Sequence, residues 1–103
     1  MTRDERLKIV EDTVKRCMDI MGSKGIEYSR GEVDVNSNFK RVGEAVGIDA
    51  LVICYIYMAK HWDSLASYVK TRDGGSEGIQ SRLDDMHNYL FIFESLLHEN
   101  QKN

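Results

Sequence analysis

The chain has 103 residues, 42% hydrophobic and 30% charged, with a formal net charge of −3. That length predicts one domain whose core is on the marginal side, where oligomerisation commonly adds stability. The acidic balance, spread along the chain without a basic arm, argues against a general nucleic-acid binder, because neutralising phosphates needs a surplus of Lys and Arg on one face.

Thr2 and Glu5 form a Thr-x-x-Glu capping box that starts a first helix. Leu7, Val10, Val14, Met18 and Met21 recur at helical spacing, and Gly22 supplies a natural stop. Residues 22–36 hold three glycines with Ser, Asp and Asn, which predicts a long, mostly irregular loop. Long loops of that kind are often functional. Asn36 or Ser37 caps a short second helix carrying Phe39, Val42 and Val46 and closed by Gly47. Asp49 caps a third over residues 50–71, and its first half, Leu51 to Met58, is apolar all round, which predicts burial on every side. The helical continuation through Ser67 argues against a strand there. Asp73-Gly74-Gly75 is a turn, and Ser76 caps a fourth helix. In that helix Ile79, Leu83, Met86, Leu90, Phe93 and Leu97 form one stripe. Phe91 and Ile92 lie well away from it and predict contact with another subunit.

The whole reads as all-α: a small four-helix domain over residues 1–103, one helix short, with a long loop between helices 1 and 2 and assembly into a homo-oligomer. The longest apolar run, Ala50 to Ala59, is far short of the roughly 20 residues of a membrane span, so no membrane role is expected. Cys17 and Cys54 fall in apolar helical contexts and read as reduced packing thiols, which with no signal peptide predicts a cytoplasmic protein.

The chemistry concentrates in Asp85-x-x-Asn88-Tyr89, preceded by Ser76-Glu77, and in Lys60-His61 on the helix before. Helices built only for packing seldom need acid, amide, phenol and ammonium together. Arg82, Asp85 and Tyr89 run down one flank of the fourth helix; taken alone, Arg82 and Asp85 read as a surface ion pair worth a few tenths of a kcal/mol. Tyr57, Lys60, His61 and Ser64 share a face of the third. Lys60 there either snorkels to solvent or meets a phosphate. From the loop and the helix after it come Tyr28 to stack on a base, Asn38, and Arg30, Lys40 or Arg41 to meet phosphate. Histidines at 61, 87 and 98 lack metal-site spacing, which excludes zinc.

Taken in order, Glu27-Tyr28, Asn38-Phe39, Lys60-His61, Glu77 and Asp85-x-x-Asn88-Tyr89 resemble a pattern in small phage proteins of the nucleotide-modification-associated kind. That group is similar in outline to the all-α MazG and dimeric dUTPase-like pyrophosphohydrolases. The resemblance spans about residues 24–97 and implies a helical fold acting on nucleotides in the cytoplasm of the host cell. Departures accompany it: Ser81 and Ala59 stand where the pattern has Asp, Ser29 replaces a Gly, and the Glu-Glu-x-x-Glu helix of the pyrophosphohydrolases is missing.

Three readings follow. The first is a binding protein for a nucleotide or nucleotide-derived signal, needing no cofactor, with Tyr28, Arg30, Asn38, Lys60, His61, Arg82, Asp85, Asn88 and Tyr89 as its site. Sequestering a signalling molecule during phage infection would be a natural use. The second is a Mg²⁺-dependent nucleotide pyrophosphohydrolase with Glu27, Glu77 and Asp85 as ligands, since such hydrolysis needs carboxylates converging on the ion. The third is a non-catalytic oligomeric interaction protein. The thin carboxylate set favours binding over turnover.

Overall fold

The computed structural model of the chain describes residues 1–28 and 34–101, and the side chains of residues 1–22 and 34–100. Those residues form four helices and no strand: α1 (Arg3–Tyr28), α2 (Ser37–Val46), α3 (Ala50–Thr71) and α4 (Ile79–Gln101). The all-α, four-helix reading with one short helix is therefore correct. Among the described residues no single helix is long and apolar enough to cross a membrane.

Most helix ends obey the local chemistry. Thr2 and Glu5 close their capping box reciprocally, Thr2 N donating to Glu5 Oε2 at 3.2 Å and Glu5 N to Thr2 Oγ1 at 3.1 Å. Asp49 caps α3 by accepting from Leu51 N at 2.7 Å. Gly47, at φ 71°, takes the left-handed conformation that ends α2. Asp73 accepts from Gly75 N at 2.9 Å in the expected turn.

Three ends differ. α1 does not stop at Gly22 but runs to Tyr28. A glycine in a helix costs only about 1 kcal/mol against alanine, and no proline follows to enforce a stop. The loop is shorter by that much, and residues 29–33 lie outside the described residues. Ser76 does not cap α4, which begins three residues later, after Gly78 at φ 81° has turned the chain. Asn36 occupies the N-terminal position of α2, but its side chain makes no cap. It is drawn across to α4, donating to Ser95 Oγ at 3.1 Å and Glu99 Oε1 at 2.9 Å.

α4 is the common partner. Its contact with α3 is the most extensive in the molecule, α1 packs beside it, and α2 lies on α3. Phe39, Ile53, Cys54, Met58 and Leu96 make the core, with Val42, Leu51, Tyr89, Ile92 and Phe93 packed around them. Cys17 and Cys54 are free, fully buried thiols. Burial pushes the Cys54 thiol up to about 11, which keeps it protonated and unreactive.

Two expectations about burial fail. The first half of α3 is not buried on every side, since Val52, Tyr55 and Ile56 are exposed. The six-residue stripe of α4 is not the core face either. Leu90 and Leu97 are exposed, while Asp84, Asn88 and Leu96 are buried. Polar pairing with the neighbours, rather than apolar periodicity, sets how α4 is turned.

Gly43 marks the tightest approach, where a Cβ would land on the Ile48 carbonyl oxygen in the turn into α3. Backbone cannot swing aside as a side chain can. Gly43→Ala should therefore destabilise the protein by about 1–3 kcal/mol in urea titration, the usual cost of overpacking. An unchanged midpoint would show that the α2–α3 turn is less tightly held than this.

Candidate functional site

The two helices expected to carry the site do lie side by side, and an aromatic cluster joins them. The His61 ring on α3 sits 5.0 Å from the Tyr89 ring on α4, tilted by 39°. Tyr89 meets Tyr57 edge-on at 6.4 Å and Phe39 of α2 at 6.5 Å, and Phe39 touches Tyr57 at 5.6 Å. The spacing of Tyr57 and His61, one turn apart on α3, is what lets both rings reach the same tyrosine. Such pairs add about 0.5–1.5 kcal/mol beyond their buried area.

Polar groups border this cluster. Arg82 does not pair with Asp85 as the sequence invites. Its Nε donates to the Gly74 carbonyl at 2.8 Å and its Nη1 to Ser64 Oγ at 2.9 Å, bracing the turn before α4 against α3. Burial pushes the His61 imidazole below its ordinary value; the Asp85 carboxylate opposes this, and Lys60 and Arg82 reinforce it. Glu77, exposed near the start of α4, acts in the same sense as Asp85. Lys60, His61, Glu77, Arg82 and Asp85 thus sense one electrostatic neighbourhood.

Among the described residues two buried side-chain atoms have no hydrogen-bond partner, His61 Nε2 in this neighbourhood and Asn88 Oδ1 on the adjoining face of α4, on residues each 8% exposed. An unsatisfied buried polar atom costs about 1–3 kcal/mol, so a fold keeps one only where something else is gained.

Of the residues chosen from sequence, His61, Arg82, Asp85 and Tyr89 come together, with Lys60 exposed at their rim. Asn88 is buried one position before Tyr89, on the adjoining face of α4. Asn38 is half-buried at the start of α2, beside Phe39. Tyr28 ends α1 and Glu27 precedes it, but the side chains of both, and all of Arg30, lie outside what is described. Of the proposed Mg²⁺ ligands this leaves Glu77 and Asp85, and no three His, Cys, Asp or Glu groups able to hold a metal converge among the described residues. Two open depressions, one lined by Val35, Asn36 and Phe91 and the other by Lys40, Gly43 and Ile48, contain none of the nine site residues; of the residues weighed for phosphate contact, Lys40 lines the second.

Sequence reasoning missed two polar networks. Arg16 of α1 grips Asp84 of α4, Nε to Oδ2 at 2.7 Å and Nη2 to Oδ1 at 3.2 Å, and Gln80 Nε2 donates to Asp84 Oδ1 at 2.9 Å. At the other end of α4, Lys40 bridges Asp34 at 2.5 Å and Glu99 at 2.8 Å around the buried Asn36. Their partners are about sixty residues apart in sequence, and no local spacing announces them. Both networks tie helices together rather than form a reactive centre.

No family model matches the chain, and no curated protein or solved structure matches it. The resemblance to nucleotide-modification-associated phage proteins therefore rests on the sequence motifs alone.

The pKa directions fix a pH response. His61 is held below 6.5, so its contribution is complete above that pH and is lost as pH falls toward the lowered value, where the unfolded chain takes up a proton first. Asp84 is held low by Arg16, and Asp34 and Glu99 by Lys40; their contributions persist above 3.8 for the aspartates and 4.5 for the glutamate and fail at lower pH. Acidification should reduce stability in two stages, the first starting below pH 6.5 with a slope of at most about 1.4 kcal/mol per unit. His61→Phe should remove the first stage and keep the second in thermal melts against pH. A first stage undiminished in that variant would clear His61 of responsibility.

Proposed function

We propose that this chain binds a small phosphorylated ligand of nucleotide type along the α3–α4 ridge, without turning it over, and that it does so as a homo-oligomer. One observation carries the reading: two buried polar atoms without a partner among the described residues, His61 Nε2 on the ring packed against Tyr89 and Asn88 Oδ1 one position before Tyr89 on α4. Packing alone gives no reason to retain both. A ligand base has a flat face for Tyr89 and polar edges for these atoms, and the exposed ammonium of Lys60 has the compact charge that suits phosphate. Sequestration of a nucleotide-derived signal during phage infection is the use that the sequence resemblance implies.

A Mg²⁺-dependent hydrolase is the competing reading. It asks for three carboxylates around one ion, and the described residues offer Glu77 and Asp85. The reading as a plain interaction protein draws on a different observation, the large uncovered apolar surface discussed below.

Thermal shift against mono-, di- and cyclic nucleotides, with and without Mg²⁺, separates the three. The binding reading expects stabilisation of about 2.7 kcal/mol at a hundredfold excess over Kd, without metal and without released phosphate. Lys60→Ala should abolish it with the fold intact. Asn88→Leu is the sharper variant: replacing an unsatisfied buried amide with an apolar side chain should leave the free protein equally or more stable while erasing the ligand response. A Mg²⁺ requirement with phosphate release would instead establish the hydrolase, and a flat response to the whole panel would end the ligand reading.

A further inference from the structure

A helical layer is stable when both of its faces are covered. Here α1, α4 and α3 lie in one layer with α4 in the middle, and α2 covers one face. Phe39 of α2 meets Tyr57 and Tyr89, and Asn36 reaches Ser95 and Glu99. At about 100° per residue, Leu90 and Leu97 stand roughly opposite Ser95 and Glu99 on α4, and Trp62 stands roughly opposite the α2 side of α3. They belong to the other face.

α1 adds to that face. Its contact with α4 runs through Arg16 and the buried Cys17. Only five residues lie between Tyr28 and Asp34, which sits at the C-terminal end of α4 in the Lys40–Glu99 network, so α1 must run in the same direction as α4. With that direction, Val10, Val14 and Met18 turn to the same side as Leu90, and the charged line Lys8, Asp12, Lys15 turns to the other. The result is one largely apolar surface across three helices, edged by the exposed Glu11, with Val10 50%, Trp62 56% and Leu90 48% exposed.

The accessible surface of the whole chain is large for its mass. A monomeric protein of 11.9 kDa has an accessible surface of roughly 5,900 Å². This chain has 7665 Å². The excess is about 1,700 Å², against the roughly 800 Å² per partner that a specific interface buries. The radius of gyration of 15.4 Å likewise exceeds the about 13 Å of a closed domain this size.

We infer that this face, built from Val10, Val14 and Met18 of α1, Leu90 and Leu97 of α4 and Trp62 of α3, is the interface with a second copy of the chain. A second copy presents the same largely apolar, helix-ridged surface, so a two-fold axis lets the two faces cover each other, ridges in grooves. The inference rests on the homo-oligomer reading above and replaces the surface expected from sequence. Of that expected surface, Ile92 packs on the core, while Phe91 is 40% exposed beside Val35 and Asn36.

Sedimentation of the full chain tests this. The wild type should run as two chains of 11.9 kDa each. Val14→Glu and Leu90→Glu should halve that mass with helical circular dichroism retained, because both side chains are exposed within one copy and the fold does not need them. Val46→Glu, on an exposed position of α2, should leave the dimer unchanged. Trp62 is the sole tryptophan, so its emission should shift to the red as the wild type is diluted below the dissociation constant. A dimer unaffected by both glutamates, with Trp62 emission independent of concentration, would overturn this surface and leave the oligomer reading to another one. A monomeric wild type at high concentration would overturn both, whatever the nucleotide panel shows.

Discussion

The way α4 is turned about its own axis decides nearly everything else in this fold. α4 touches α1 and α3 on its two flanks and holds the start of α2 on a third side. Each of these attachments uses polar side chains of α4: Asp84 for Arg16, Ser95 and Glu99 for Asn36, and Arg82 for Ser64. A paired buried carboxylate is tolerable, whereas the same carboxylate buried without its partner is strongly destabilising. Once Asp84 and Asn36 are satisfied, the rotation of α4 is fixed, and Leu90 and Leu97 face outward as a consequence.

The rotation also explains which parts of the architecture are readable from sequence. Caps and turns are local, so Thr2 with Glu5, Asp49 and Gly47 declare themselves in the residues concerned. Helix number and type follow from periodicity. What periodicity cannot give is the direction in which an apolar stripe points. The steps of four and three from Ile79 to Leu97 identify a stripe correctly, but a stripe may face the chain's own core or a partner's surface, and both have the same spacing. The same ambiguity misled the reading of α3, where Leu51 to Met58 is apolar all round because one side meets α4 and another is uncovered.

The candidate site was legible for a similar reason and to a similar depth. His61, Arg82, Asp85 and Tyr89 lie at helical spacings on two consecutive helices, and antiparallel neighbours joined by a short turn bring such positions together. The role of Arg82 was not legible, because its partners are a backbone carbonyl in the turn and a serine eighteen residues away. That arginine shapes the edge of the site by holding Gly74 in place, where a Cβ would press on the Ile79 amide. The residues of the loop after α1, chosen for stacking and phosphate contact, add nothing to the described geometry.

The polar ridge and the uncovered apolar surface lie on different sides of the same layer, and this separation has a physical consequence. Lys60 projects from α3 toward the side that α2 partly covers, well around the helix from Trp62. A glutamate that disrupts pairing through Leu90 or Val14 leaves the surroundings of His61 and Asn88 intact. A change at Asn88 likewise leaves the apolar surface untouched, so the proposed ligand binding and the inferred self-association are separable. The two are still joined through α4, since the pairing of Asp84 with Arg16 that turns Leu90 outward also sets the direction of Asn88 one turn later. Covering the apolar surface would stiffen α4 along its length, and with it the aromatic contact of Tyr89 with His61 on which the proposed site is built.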